Sequence, residues 1–240
     1  MIVIFGSSGA LGEGILDKLI QKNKNLLLTA NNGFEKLKLD FSEAPNIEVM
    51  QCNVLETENI LGVFKHLRNN QIKIEGLINN FAYTYDDNIE KMDPDSDEVK
   101  KVFEVNYNGT AIILEELVKY LQDINHHSVR VVNVLSNSIK TLNASNNHYI
   151  ASKAATETLS KFYAKNFSKL ISINNVAPGL MKSEITKHRF DNISEKIIDL
   201  TPLGRLSTIE EASRLICFLA TESPLSICGQ TIYIDGGRTL

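Results

Sequence analysis

A chain of 240 residues, 43% of them hydrophobic, is long enough to bury one sizeable core, which excludes a disordered tail and a mini-protein held only by cross-links. The formal net charge is -4 with charges scattered rather than in runs, so there is no electrostatic case for nucleic acid. Cys52, Cys217 and Cys228 are too widely spaced for a zinc motif or a disulfide framework and read as small thiols in a reducing compartment.

The first apolar run, residues 2–5, gives way at once to Gly6-Ser7-Ser8-Gly9 and has no basic flank, so it reads as a strand and not a leader. No segment approaches the roughly 20 apolar residues of a membrane helix. The chain is therefore expected in the cytoplasm. Further short runs rich in Val, Ile and Leu follow at 26–29, 47–51, 76–78, 129–135, 172–176 and 230–234. Such runs suit strands buried on both faces of a parallel sheet. Between them lie helical stripes: Leu11-Ile15-Leu16-Leu19, Ile60-Leu61-Phe64-Leu67, and Val99-Val102-Phe103 continuing into Ile112-Ile113-Leu117. A long helix is expected over 149–167 and a last one over 209–219, with Thr208 as its cap. The alternation predicts an α/β fold, a doubly wound parallel sheet of about seven strands with helices on both faces. Sparse Pro and the lack of any linker or repeat predict one domain over 1–240.

Three local patterns carry chemistry. Gly6-Ser7-Ser8-Gly9-Ala10-Leu11-Gly12 sits between a strand and a helix, where glycines let the backbone approach a pyrophosphate and the helix N-terminus favours its charge. The end of the second strand offers Asn31-Asn32 and no carboxylate before Glu35. An acid there would bind ribose hydroxyls and repel a 2′-phosphate, so its absence slightly favours NADP(H) over NAD(H). Tyr149 and Lys153 stand four apart, on one helix face, where an ammonium beside a phenol favours the phenolate and makes a general acid or base. Ser136, at the end of the fifth strand, is placed to polarise a carbonyl oxygen. Asn106, among polar residues before Gly109, marks a local helix distortion.

Taken in order, these patterns resemble the short-chain dehydrogenase/reductase family, essentially end to end. The resemblance rests on the glycine turn, Asn79-Asn80-Phe81-Ala82, Asn106, Ser136, Tyr149 with Lys153, Pro178-Gly179, and the closing stretch through Gly204-Arg205 to Asp235-Gly236-Gly237. It implies a nicotinamide-dependent oxidoreductase with a Rossmann fold, its catalytic residues Asn106, Ser136, Tyr149 and Lys153. Tyr149 would exchange the proton, Lys153 lower its pKa and bind the ribose, Ser136 orient the carbonyl, and Asn106 hold a relay water. The cofactor residues it implies are Gly6, Ser8, Gly9, Leu11, Gly12, Asn31, Asn53, Val54, Asn80, Tyr149, Lys153, Pro178, Gly179 and Ser183.

This sequence departs from the family pattern at Phe5, Ala10, Asn53, Phe81 and Ala82. A lid is expected at about 180–200, with Lys182, Lys187, His188 and Arg189 on it. The overall look resembles bacterial 3-oxoacyl-carrier-protein reductases, implying a small or acyl-carrier-bound carbonyl substrate. Arg130 and Lys169 stand where such enzymes carry carrier-docking bases. A homo-oligomer, tetramer or dimer, rests on the resemblance alone. The alternative is a catalytically inactive dinucleotide-sensing or scaffolding protein of the same fold. The intact set of Asn106, Ser136, Tyr149 and Lys153 favours the enzyme.

Overall fold

The structure is a computed structural model and describes residues 1–85, 95–125, 128–143, 146–181 and 190–240. Strands β1 (Ile2–Phe5), β2 (Leu26–Ala30), β3 (Ile47–Gln51), β4 (Gly76–Asn79), β5 (Val129–Val134), β6 (Ile171–Pro178) and β7 (Thr231–Ile234) form one sheet in the order β3-β2-β1-β4-β5-β6-β7. Every pairing is parallel. β1, β2, β4 and β6 are buried along their whole length, so β1 and β2 read as nearly continuous apolar runs and not as alternation, while β4 and β6 also bury asparagines.

Alternate strand residues feed two cores. Val3, Leu77, Val131 and Ile173 face α3 (Thr57–Asn69) and α5 (Thr110–Asp123) through Phe64, Leu67, Ile113 and Leu117. Ile2, Ile4, Leu28, Ile78 and Val176 face α1 (Ala10–Gln21) and α9 (Ile209–Thr221) through Ile15, Leu19, Ile216 and Leu219. The chain steps from β1 outward to β3, then returns to place β4 on the other side of β1. That reversal opens a crevice outside the carboxyl ends of the strands, the place where such sheets bind ligands.

The predicted elements fall where expected, with local differences. α2 (Phe34–Asp40) has no apolar stripe in the sequence because Leu37 is its one buried residue. The stretch expected as one helix around Asn106 is α4 (Asp97–Phe103), a π-helical turn (Glu104–Gly109) and α5, so the distortion expected there is a widened turn. A four-residue α6 (Ser138–Thr141) follows β5. The long helix α7 (Asn147–Phe167) starts two residues before Tyr149, because the Asn146 side chain caps the Tyr149 N–H at 2.5 Å. α8 (Phe190–Asp199) lies in the expected lid segment.

α7 is unusual in that its fully buried side chains are Ser152, Lys153, Thr156 and Ser160. They meet a row of buried asparagines on the sheet, Asn79, Asn133 and Asn175, in register across β4, β5 and β6. Asn79 donates to Asn133 at 2.7 Å, and Asn133 donates to Ser160 at 2.8 Å. Asn175 donates to Thr231, whose hydroxyl donates to Glu157 at 2.9 Å. This seam is joined by hydrogen bonds where the rest of the sheet is joined to its helices by apolar packing.

Thr208 caps α9 in a reciprocal box with Glu211, as its position predicts. Thr208→Ala is expected to lower the free energy of unfolding by about 1 kcal/mol, read from urea denaturation, without altering the position of any active-site strand.

Candidate active site

The glycine turn is built by the backbone. Thr29 O accepts from both Gly6 N (3.1 Å) and Ser7 N (3.0 Å), folding the chain sharply as it leaves β1. Gly6 has φ +82°, and a Cβ there would sit 2.6 Å from Phe81 N, so no larger residue fits. At Gly12 a Cβ would meet Ser7 O at 2.3 Å, which sets the approach of α1 to the turn. Asn80 donates from Nδ2 to Gly6 O at 2.9 Å and so ties β4 to the turn. Gly9 precedes α1 with open space around it, and no side chain caps the helix. The first amides of α1 and the positive end of its dipole thus face the crevice free for an anion. Ser8 is exposed beside Gly33.

Asn31 is exposed just past β2, and Asn53 and Val54 are half-buried just past β3, on the same edge of the sheet. The Asn53 Oδ1 accepts from Leu55 N at 3.2 Å, which stiffens its own loop and leaves the amide group available. Val54 packs near Gly109.

A cavity of about 210 Å³ opens at the carboxyl edge of β4, β5 and β6. It gathers Leu11, Asn80, Ser136, Tyr149, Lys153, Pro178 and Gly179 from the sequence-derived set, together with Phe81, Ala82, Val134, Leu135 and Met181. A wider surface cleft between α1 and α9, with Lys18, Arg214 and Phe218 on its walls, holds none of the residues singled out for chemistry.

Ser136 lies two residues beyond the end of β5, not at its last residue as expected. Leu135 N still pairs with Val176 O at 2.8 Å before the chain turns away, so the Ser136 hydroxyl stands above the strand end and hydrogen-bonds the Tyr149 phenol. Burial raises the Tyr149 pKa, and the Ser136 hydrogen bond pulls it partly back. The expectation that Lys153 lowers the Tyr149 pKa takes a different form. Lys153 Nζ donates to Val134 O at 2.8 Å and lies 5.9 Å from the centre of the Tyr149 ring. The opposing group in contact with the phenol is therefore Ser136. Lys153 itself is 3% exposed, and burial pushes its pKa down to about 8.

Asn106 does not line the cavity. Its Oδ1 accepts from Tyr83 N (2.8 Å), and its Nδ2 donates to Tyr83 O (2.9 Å) and Ser152 Oγ (3.0 Å). Its carbonyl oxygen accepts from the hydroxyls of Thr110 and Thr156, each at 3.0 Å. Asn106 thus clamps the loop after β4 onto α7. The Tyr83 hydroxyl, bonded to Glu98, holds that loop from outside. Ser183 and the basic residues Lys182, Lys187, His188 and Arg189 lie outside the described residues. Arg130 sits at the amino end of β5, opposite the cavity, and donates to Ser223 O at 2.8 Å; Lys169, just before β6, is exposed at that same edge.

Two further residues shape the site: Asn146, which the sequence offered as a possible pocket-lining residue and which instead caps α7, and Asn137, which it left without a role. Asn146 was legible, since an Asn three residues before the capped amide is a helix-start signal. Asn137 was not, because its partner is 98 residues away.

A doubly wound parallel sheet with a glycine turn at its switch point, and Ser, Tyr and Lys converging at the same edge, defines a nicotinamide-dependent oxidoreductase of Rossmann type. A family model described as Enoyl-(Acyl carrier protein) reductase matches residues 6–239. The chain belongs to the short-chain dehydrogenase/reductase family and is an NAD(P)-dependent enzyme of that family. It is similar to the 3-oxoacyl-[acyl-carrier-protein] reductase FabG of Aquifex aeolicus, with 28% identity over 98% of this chain and 95% of the relative. The FabG of Rickettsia conorii is 29% identical over 99% and 96%. Among solved structures, a gluconate 5-dehydrogenase from Burkholderia cenocepacia, in complex with NADP and tartrate, has a TM-score of 0.87 at 20% identity and covers 99% of this chain and 94% of that one.

Because the native Lys153 pKa lies below that of the unfolded chain, the unfolded state binds more protons between about pH 8 and the ordinary lysine range, and stability contributed by this group rises with pH there. Lys153→Met is therefore expected to be more stable than the parent near neutral pH, by a margin that narrows as pH rises through about 8 toward 10. Paired urea melts of the two proteins at both ends of that range test this; a margin independent of pH would contradict it.

Proposed function

We propose that this protein is an NADPH-dependent ketoreductase that reduces the 3-oxo group of a small or acyl-carrier-bound thioester, with Tyr149 as the general acid. The observation that carries the reading is the convergence of Ser136, Tyr149 and Lys153 on one cavity at the switch-point edge. The single domain, cytoplasmic and oligomeric expectations travel with it.

The residues fit a dinucleotide. The uncapped start of α1 and the open space at Gly9 suit a pyrophosphate. Asn31, Asn53 and Val54 would flank the adenosine end. Among the described residues Lys153 Nζ donates to Val134 O, and its remaining N–H groups suit the hydroxyls of the nicotinamide ribose. Pro178 and Gly179 would back the nicotinamide, and Ser183 would meet its amide. No carboxylate stands at the end of β2 to repel a 2′-phosphate, while Lys36 is already paired with Glu13 at 2.9 Å. The NADP found in the gluconate 5-dehydrogenase agrees with that preference.

Bound NADPH supplies the hydride to the carbonyl carbon. The Ser136 hydroxyl donates to the carbonyl oxygen and holds it beside the phenol. A Tyr149 whose pKa is raised by burial keeps its proton at neutral pH, so it is available as an acid. An alkoxide is far more basic than a phenolate, so the proton passes from Tyr149 Oη as negative charge develops on the substrate oxygen. The buried ammonium of Lys153 then stabilises the phenolate left behind. Phe81, Leu135 and Met181 exclude water from the reacting carbon. FabG proteins are named for 3-oxoacyl groups on acyl carrier protein, and likeness to them over nearly the whole chain is the reason for naming that substrate class. Arg130 and Lys169 lie at the amino edge of the sheet, away from this chain's own cavity.

The test is oxidation of NADPH with the acetoacetyl thioester of coenzyme A as probe. Tyr149→Phe is expected to lower kcat by about 10²–10⁴-fold and to leave NADPH affinity, read by nicotinamide fluorescence, nearly unchanged. Retention of most of the activity would overturn Tyr149 as the acid. The parent protein is also expected to bind NADPH more tightly than NADH, and the reverse order would overturn the assignment made at Asn31.

A further inference from the structure

The closing motif Asp235-Gly236-Gly237 has no part in the chemistry above, yet it contains a buried carboxylate within two hydrogen bonds of the catalytic edge. Asp235 is 6% exposed. Its Oδ2 accepts from Asn137 Nδ2 at 3.2 Å, and its Oδ1 accepts from Gly237 N at 3.1 Å. No cation pairs with it among the described residues. A carboxylate taken out of water into the company of two neutral donors is costly where it sits, and a hydroxyl or amide would fill the space at lower cost. What the charge adds is a stronger and more directional hold on those donors.

The donor that matters is Asn137, itself 5% exposed and the residue after Ser136. β5 and β7 are not neighbours in the sheet; β6 lies between them. The backbone ladder beyond the strands runs only between adjacent chains: Asn137 N to Pro178 O at 2.8 Å, and Gly179 N to Ile234 O at 3.1 Å. The Asn137–Asp235 pair crosses over the Pro178-Gly179 turn and joins the ends of β5 and β7 directly. It fixes Asn137 at φ -67°, ψ -12°, where α6 begins and where Ser138 N donates to Ser136 Oγ at 3.2 Å. The Ser136 hydroxyl is thus held from behind by Ser138 while it bonds Tyr149 in front.

We propose that Asp235 is a positioning residue for carbonyl reduction: through Asn137 it locks the 136–138 turn, and so sets the Ser136 hydroxyl in register with Tyr149. In kinetic terms the inference rests on the ketoreductase reading, but its structural half does not. If it holds, loosening the pair slows the step in which Ser136 meets the substrate and leaves the dinucleotide grip of the glycine turn alone.

The experiment is a reciprocal exchange in the full chain. Asn137→Asp opposes two carboxylates. Asp235→Asn leaves two amides, which still bond if one turns over. The double variant Asn137→Asp/Asp235→Asn restores an amide–carboxylate pair with the roles reversed. Each protein is measured three ways: kcat with acetoacetyl-coenzyme A, NADPH dissociation constant, and amide hydrogen exchange over 136–138, with the melting temperature as a check on folding. Asn137→Asp is expected to lose on the order of tenfold in kcat, Asp235→Asn less, and the double variant to regain most of the loss. The NADPH constant is expected to stay within about twofold throughout, and the exchange protection of 136–138 to fall and return with kcat. Loss of kcat and NADPH affinity together with a lowered melting temperature would mean a merely structural role and overturn the proposal. So would single variants with parental kcat and protection, or a double variant no better than Asn137→Asp in a folded protein. If the parent does not reduce the probe, the ketoreductase reading fails, and the exchange measurements alone decide whether the pair locks the turn.

Discussion

A lysine buried to 3% exposure is the constraint around which this structure is arranged. An ammonium taken from water needs hydrogen-bond acceptors or it gives up its proton, and a pKa lowered to about 8 records how far it is pressed toward doing so. Its acceptor among the described residues is Val134 O, at the carboxyl end of β5. That contact requires α7 to lie close against the sheet along the strand ends, with its start at the cavity mouth. A helix face able to carry Lys153 inward cannot be an ordinary apolar stripe. The face is instead Ser152, Lys153, Thr156 and Ser160, and the sheet answers it with Asn79 and Asn133. Hydrogen-bonded seams of this kind favour one docking geometry, because a small slip breaks several hydrogen bonds at once, although the buried Oδ1 atoms of Asn79 and Asn175 find no partner among the described residues.

The same seam explains the π-helical turn. Asn106 reaches Ser152 on α7 and both backbone groups of Tyr83 on the loop after β4. The widened turn from Glu104 to Gly109 lets the Asn106 carbonyl meet the hydroxyls of Thr110 and Thr156. Helix α7, the α4–α5 pair and the loop that carries Phe81 into the cavity are thereby one hydrogen-bonded body. Tyr149 is placed by that body on one side and by Ser136 on the other.

Much of this architecture is legible in the residues. Strands buried on both faces announce themselves as short runs of Val, Ile and Leu, and the helices at Leu11, Ile60 and Ile209 by their stripes. Gly6 and Gly12 are legible because only glycine fits where a backbone atom stands within 2.6 Å of the would-be Cβ. Tyr149 and Lys153 are legible as a pair because four residues make about one helical turn. α2 was not, because one buried leucine makes no period. The polar face of α7 was not, because a helix that buries serines and threonines has the same composition as one that exposes them.

The sequence by itself determined the local geometry: which segments extend, which coil, where the turn beside Gly6 must fall, and that Tyr149 and Lys153 share a helix face. Those are consequences of short-range sterics and periodicity, which act within a few residues. Tertiary structure alone decided which groups perturb one another. It gave Lys153 to Val134 O, set Ser136 and not Lys153 against the Tyr149 phenol, made Asn106 a clamp between the loop after β4 and α7, and joined Asn137 to Asp235 across 98 residues of chain. Hydrogen bonds and burial act through space over a few ångströms, and no spacing in the chain reports which distant residues the fold will bring within that reach.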